Sequence, residues 1–440
     1  MKIKQAITSI ISNLITSLTL QNTKRRYFKL RRSLLGQDHE IHFFFQMDDP
    51  YSYLASQALE KLIHSYNINV HLHPIGEPDD NAVPERDALI DFSIKDAAKI
   101  AHHHHLDFKN NYKLPSAAKR LIALRALCVS KDRIVDAQHI AKKFWSDDEE
   151  ALLAMPLATE ESTLEVLEKN SQYRKKLGHY LSGMFYYDGE WYWGIDRLPY
   201  LEERLEKLNL RKSQSNPISN FKKNAKPNLE QDLSHLTVEC FISIRSPYSY
   251  LALPEILDLS KIYGINTIIR PVMPMVMRGL VVPRDKALYI VKDAKRESYR
   301  INVPFGKIND PLGQAVLRGY SLYPFSKTKK RDGEYLLEFC RLAWSQGKDM
   351  SLEENLKTAI ENASLDWHEA QQYLDNDDWK ETLEINRQQL IKSGLWGVPS
   401  FRIIDNDNKE LFSTWGRDRI WLLTHELQHY SNSKDQGGHQ

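Results

Sequence analysis

The feature that most limits what this chain can fold into is that it repeats itself. Asp49-Pro-Tyr-Ser-Tyr-Leu-Ala55 returns as Ser246-Pro-Tyr-Ser-Tyr-Leu-Ala252. The second run lies 197 positions after the first, Pro247 against Pro50, and the register then persists. Tyr66-Asn-Ile-Asn69 meets Tyr263-Gly-Ile-Asn266, Pro74 meets Pro271, Lys95-Asp-Ala97 meets Lys292-Asp-Ala294, and Phe108 meets Phe305. Chance does not hold one register from Asp49 to Phe108, so the sequence reads as a duplication. Farther on, Trp193-Gly-Ile-Asp-Arg197 answers Trp415-Gly-Arg-Asp-Arg419 at an offset of 222, so the second copy carries 25 more residues between Phe305 and Trp415.

Both copies show one order of elements. A short apolar strand (41–45; 238–244) runs into a Pro-Tyr turn and a helix (51–65; 248–263), and a second strand follows (69–74; 267–272). Strand, helix and parallel strand make a βαβ unit. A long helical stretch comes next, 88–176 and 286–393. A hairpin closes each copy, 184–187 with 191–193 around Asp188-Gly189, and 400–404 with 410–414 around the 405–408 turn. A terminal helix completes each. The expected domains are an amphipathic basic helix at 1–37, a first domain at 38–212, a linker at 213–233 rich in Ser, Asn, Lys and Pro, a second domain at 234–430 and a tail at 431–440.

With 27% charged and 42% hydrophobic residues, the composition is that of a water-soluble globular chain, and a net charge of +2 makes no general case for nucleic acid. Cys128, Cys240 and Cys340 form no C-x-x-C and no metal-ligand spacing, which points to a reducing, cytoplasmic setting and to no bound metal. At the N-terminus, Ile7, Ile10, Ile11, Leu14, Ile15 and Leu18 share a helical face. Lys24, Arg25, Arg26, Lys29, Arg31 and Arg32 follow, with no acid before Asp38. Such a helix either docks on its own domain or lets residues 1–35 rest on an anionic membrane surface. The apolar run is too interrupted to span a membrane.

Three signals in the second copy carry a resemblance: Ser246-Pro247-Tyr248-Ser249 at the strand-to-helix turn, Gly397-Val398-Pro399-Ser400-Phe401, and Gly416-Arg417-Asp418-Arg419. Together, and in this order, they resemble the DsbA-like thioredoxin-fold superfamily, in its branch of 2-hydroxychromene-2-carboxylate isomerases and kappa-class glutathione transferases. The resemblance implies an α/β fold: two tandem thioredoxin-like domains, each with an all-helical insertion. Redox members carry a cysteine at each end of the turn; here both ends are serine, so dithiol exchange is not available. The resemblance further implies that Ser246 is catalytic, donating a hydrogen bond to the thiolate of bound glutathione. It implies that Pro247 and Tyr248 of that turn also bind the substrate or glutathione, that Val398 before a cis Pro399 docks the cysteinyl backbone, and that Arg417 and Asp418 hold the γ-glutamyl end. Lys286 and Asp293 match a lysine–aspartate helix that walls the site.

Each role has a plainer alternative. Ser246 can simply cap its helix, Pro399 can be a loop proline, Asp418 can cap the last helix, and Lys286 and Asp293 can lie on a solvated face. The asparagine that the isomerases place after the second strand is missing, since 274–280 reads Pro-Met-Val-Met-Arg-Gly-Leu. Met273, Met275 and Met277 either line a pocket or fill core gaps.

The first copy looks degenerate. Asp49 stands in the place of Ser246, and Leu181-Ser-Gly-Met-Phe185, without proline, stands in the place of the Val-Pro loop. It reads as a structural partner, and the resemblance implies an internal pseudo-dimer of the two domains. His102–His105 reads as a solvated helix end, and Trp191-Tyr-Trp193 as hairpin packing. The leading expectation is a glutathione-dependent isomerase or transferase acting on a small electrophile. The alternatives are a thiol–disulfide oxidoreductase and a non-catalytic binding module.

Overall fold

The computed structural model describes residues 10–212, residue 218 and residues 233–435. It divides into two compact units: an N-terminal unit of residues 22–221 with 282–289, and a C-terminal unit of 1–21, 222–281 and 290–440. The expected boundaries at 38 and 234 are corrected accordingly. Most of the expected linker lies outside the described residues.

The N-terminal unit is built on a four-stranded sheet. Its strands are β1 (Glu40–Phe45), β2 (Asn69–Pro74), β3 (Met184–Tyr187) and β4 (Glu190–Trp193), in the order β2-β1-β3-β4. β1 pairs with β2 in parallel and with β3 antiparallel. Ile41, Phe43, Phe44 and Phe45 are all buried, as a central strand covered on both faces requires. The helix after β1 was expected to run to residue 65. It stops at Ser56 and restarts at Leu59–Ser65. At the break, Gln57 turns to the insertion: its Nε2 donates to the Asp107 carbonyl at 3.0 Å, and its Oε1 accepts the Asp107 N–H at 2.8 Å. Five helices between Arg86 and Lys176 form the insertion. The first of them, Arg86–His104, ends in the histidine run, with left-handed His105 as its cap.

The C-terminal unit repeats the order with β5 (Leu236–Ile242), β6 (Asn266–Pro271), β7 (Ser400–Asp405) and β8 (Glu410–Trp415), arranged β6-β5-β7-β8. Val238, Cys240 and Ile242 pack with Tyr250 and Leu253 of the opening helix Pro247–Tyr263 and with Phe401 and Ile403 of β7. Met273 and Met277 pack against this same core, which is the gap-filling role. The last helix, Ile420–Asp435, passes the expected end at residue 430.

The 197-residue offset pairs polar positions of the two sheets that differ in charge. In the C-terminal sheet, fully buried Glu239 on β5 holds Arg270 on β6 (Nε to Oε1 2.7 Å) and Arg402 on β7. The same places in the N-terminal sheet are taken by His42 and His73, whose Nδ1 and Nε2 lie 3.0 Å apart, with the Tyr173 hydroxyl 3.4 Å from His42 Nε2. A buried ion triad and a pair of histidines fill one structural position.

The expected single helix breaks at Thr16–Ser17, and the helix Leu18–Leu35, which carries the basic run, meets the β3–β4 hairpin. Arg25 forks onto Glu190 (2.7 and 2.9 Å) and Arg32 bonds Asp188 (2.6 Å). The Phe28 ring lies so close to Gly189 that a Cβ there would stand 2.7 Å from it, which requires glycine at the turn. The helix docks through its basic side chains and not through an apolar face. No helix among the described residues is long and apolar enough to cross a membrane.

Candidate functional site

In the C-terminal unit, the strand-to-helix turn and the Val-Pro loop meet. Ser246 is the N-cap of Pro247–Tyr263, with Pro247 in the first turn of the helix. Its Oγ accepts the Ser249 N–H at 3.2 Å and lies 3.4 Å from the Val398 carbonyl oxygen, to which the hydroxyl donates. The Val398–Pro399 peptide bond is cis. The Val398 N–H has no acceptor among the described residues. Ser246 and Val398 are both partly exposed, so a hydroxyl held by a long bond to a carbonyl and a backbone N–H without an acceptor lie beside one helix terminus. The neighbouring glycine is required by contact, since a Cβ on Gly397 would lie 2.3 Å from Nε1 of Trp415, whose ring packs on Trp396.

The other expected site residues do different work. Arg417 is 4% exposed, and its guanidinium is held by Glu297 (2.6 Å) and Glu255. Its charge is spent inside the protein, which corrects the expectation that it meets a ligand carboxylate. Asp418 stays half-exposed beside Gly416. Asp293 is buried and accepts the Tyr248 hydroxyl at 2.7 Å, so it clamps the opening helix and is not an open wall. Lys286 does not join this cluster: it belongs to the N-terminal unit, where its Nζ donates to the Ala82 carbonyl at 2.9 Å and burial lowers its pKa. No thiol replaces the missing turn cysteines. Cys240 and Cys340 are buried, and burial pushes both thiols far up.

Residues 237–428 match the family model of DSBA-like thioredoxin domains. The C-terminal half is a DsbA-like thioredoxin domain. The chain is also 26% identical over 208 residues to human (Homo sapiens) glutathione S-transferase kappa 1, covering 43% of this chain and 90% of that protein. Among solved structures it is similar to a 2-hydroxychromene-2-carboxylate isomerase, at 20% identity over 46% of this chain and 98% of the other, with TM-score 0.39. It is likewise similar to the cytosolic disulfide reductase DsbM of Pseudomonas aeruginosa with GSH, at 12% identity over 46% and 99%, with TM-score 0.34.

The N-terminal unit has a small, open cleft at its own turn, of about 60 Å³, lined by Gln46, Asp49, Tyr51, Leu89, Ser182 and Trp193 among others. Asp49 fills the corner. Its Oδ1 accepts the Tyr51 N–H (3.1 Å), and its Oδ2 accepts the Ser52 N–H (3.1 Å) and the Ser52 and Ser182 hydroxyls (2.7 and 2.9 Å). Burial raises its pKa, while the serine and backbone donors pull it back down. Four donors thus converge on one side chain where the DsbA-like domain keeps a hydroxyl. Sequence reading placed Asp49 here but missed Ser182 as its partner, although the Leu-Ser-Gly run in the proline loop's place carried the signal. Asp49→Ala should lower the stability of the N-terminal unit by about 2 kcal/mol, the loss of a cap together with stranded buried donors, as read by urea unfolding. The unit keeps the same clamp as its counterpart: Tyr51 donates to buried Asp96 at 2.8 Å.

Proposed function

We propose that the DsbA-like domain binds glutathione and directs its thiolate at a small electrophile, as a transferase or an isomerase. The observation that carries this reading is the pairing of the Ser246 hydroxyl with the open Val398 N–H at one helix terminus. An antiparallel peptide needs a backbone N–H and a carbonyl, and Val398 offers both once the Ser246 hydroxyl turns from the carbonyl towards the sulfur. The hydroxyl and the helix terminus then favour the thiolate over the thiol. The thiolate forms the C–S bond. In a transfer the leaving group departs with its electron pair; in an isomerisation the thiolate adds to a conjugated double bond whose π pair moves onto the conjugated acceptor, the resulting single bond rotates, and the sulfur leaves as the double bond re-forms. The Asp418 carboxylate suits the γ-glutamyl ammonium, and, with Arg417 engaged by Glu255 and Glu297, the γ-glutamyl carboxylate falls to the amides at the start of the last helix. The similarity to glutathione S-transferase kappa 1 supports the choice of tripeptide. The common strand order and the paired Tyr51–Asp96 and Tyr248–Asp293 clamps support descent of both units from one duplicated domain.

Calorimetric titration with reduced glutathione, together with ultraviolet absorbance of the bound thiolate, tests the reading. Ser246→Ala should still bind the tripeptide while raising the pKa of the bound thiol by about one unit, worth about 1.4 kcal/mol. Absence of heat at millimolar ligand, or an unchanged thiol pKa in the variant, would remove Ser246 from this role. Burial of Cys240 and Cys340 supports the corollary that insulin reduction is not catalysed.

A further inference from the structure

The helix Leu18–Leu35 has a face that its docking leaves uncovered. Gln21, Arg25, Phe28 and Arg32 share one side, and Arg25, Phe28 and Arg32 from it meet the hairpin. Tyr27, Leu30 and Leu34 fall on the opposite side and are 59%, 59% and 76% exposed. Lys24 and Arg31 flank this stripe on one edge and Arg26 on the other, with Lys29 beyond it. All four are exposed, and none makes an ion pair among the described residues. The helix contains no acid. A helix that points its apolar stripe outward, inside a frame of unpaired cations, is complementary to a surface with an anionic face over an apolar interior.

We infer that this helix seats the N-terminal unit on an anionic lipid surface. The stripe enters the headgroup–acyl boundary, and Lys24, Arg26, Lys29 and Arg31 lie among the lipid phosphates. Two properties set this occupant apart from a second copy of the chain. The frame has one sign only, so two such faces repel each other. The stripe is also three side chains wide, far smaller than a stable protein interface needs. The anchorage is peripheral and reversible, because one short stripe supplies a few large side chains and not a spanning segment. It is independent of the glutathione reading, which concerns the other unit.

Co-sedimentation with vesicles tests the inference, comparing phosphatidylcholine alone with phosphatidylcholine mixed with phosphatidylglycerol. The full chain should bind the anionic vesicles, bind the neutral ones far more weakly, and be released by added salt. Tyr27→Gln/Leu30→Gln/Leu34→Gln should weaken binding by about tenfold per leucine removed. Lys24→Gln/Arg26→Gln/Lys29→Gln/Arg31→Gln should weaken it by about fivefold per charge and abolish the salt effect. The substituted side chains are solvent-facing, so thermal unfolding should be unchanged in both variants. Equal binding to neutral and anionic vesicles, no binding at all, or full binding by the basic-to-glutamine variant would overturn the inference. So would a concentration-dependent dimer of the wild type that the leucine variant loses, because the face would then belong to a second copy.

Discussion

Glu239→Ala should destabilise the DsbA-like domain by about 3–5 kcal/mol, which is a large part of the stability of a domain this size. Glu239 is fully buried in the middle of the sheet and bonds Arg270 and Arg402 from the two neighbouring strands. Arg270 also donates to Asn386 at 3.2 Å, and Asn386 in turn donates to the Pro271 carbonyl at 2.9 Å, so the triad ties the sheet to the helix Trp379–Lys392. Alanine would leave two guanidinium groups facing each other across one strand, with only Glu410, 3.6 Å from Arg402, as a counter-charge. The desolvation already imposed on them would then go uncompensated. Replacing all three residues with apolar side chains of similar volume should recover most of the loss, because the cost lies in the stranded charges and not in the absence of ions. Urea unfolding followed by tryptophan fluorescence reads both variants. A loss below about 1 kcal/mol in Glu239→Ala would show that water reaches the triad.

Acidification should unfold the N-terminal unit first. His73 is held down to about 4 by burial, with His42 and His71 adding to the shift, and His42 is lowered for the same leading reason. His179 is buried beside Arg174 and is lowered further still. In the unfolded chain these rings take up protons near pH 6.5, which the folded unit refuses until much lower pH. The unfolded state therefore binds more protons through this window. The stabilisation is complete above pH 6.5 and is lost as pH falls towards 4, with His73 alone contributing about 3 kcal/mol. The 3.0 Å contact between His42 and His73 sharpens the effect, because protonating both rings sets two positive charges against each other. Unfolding curves collected between pH 7 and 4 should show the N-terminal transition moving down first. His73→Phe, which keeps the ring packing against Phe44, should flatten that dependence. A pH-independent transition in the wild type over this range would contradict the assignment.

Much of this architecture was legible because repetition multiplies weak signals. One Pro-Tyr turn predicts little, but two at a constant spacing locate both opening helices, both parallel strand pairs and, through the Trp-Gly runs, both closing hairpins. The adjacency of Ser246 and Val398 was implied by the family resemblance. The partners of Arg417 were not, because Glu297 and Glu255 are 120 and 162 residues away along the chain, and only the packed insertion brings them together. The N-terminal helix was left with two readings, since a basic run does not say what it meets; Asp188 and Glu190 pair with two of its arginines at the hairpin. The exchange of Glu239 and Arg270 for His42 and His73 at a spacing of 197 was visible in the letters. It acquires meaning only when the parallel register sets each pair on one face of neighbouring strands, one diagonal step apart.

The four donors gathered on Asp49 also bear on stoichiometry. A side chain tethered to the backbone competes for its binding corner at an effective concentration that no freely diffusing tripeptide matches. The N-terminal corner is in that sense permanently self-inhibited. Any compound that mimics a sulfur anion should saturate this chain at one equivalent, whatever symmetry the duplicated scaffold suggests.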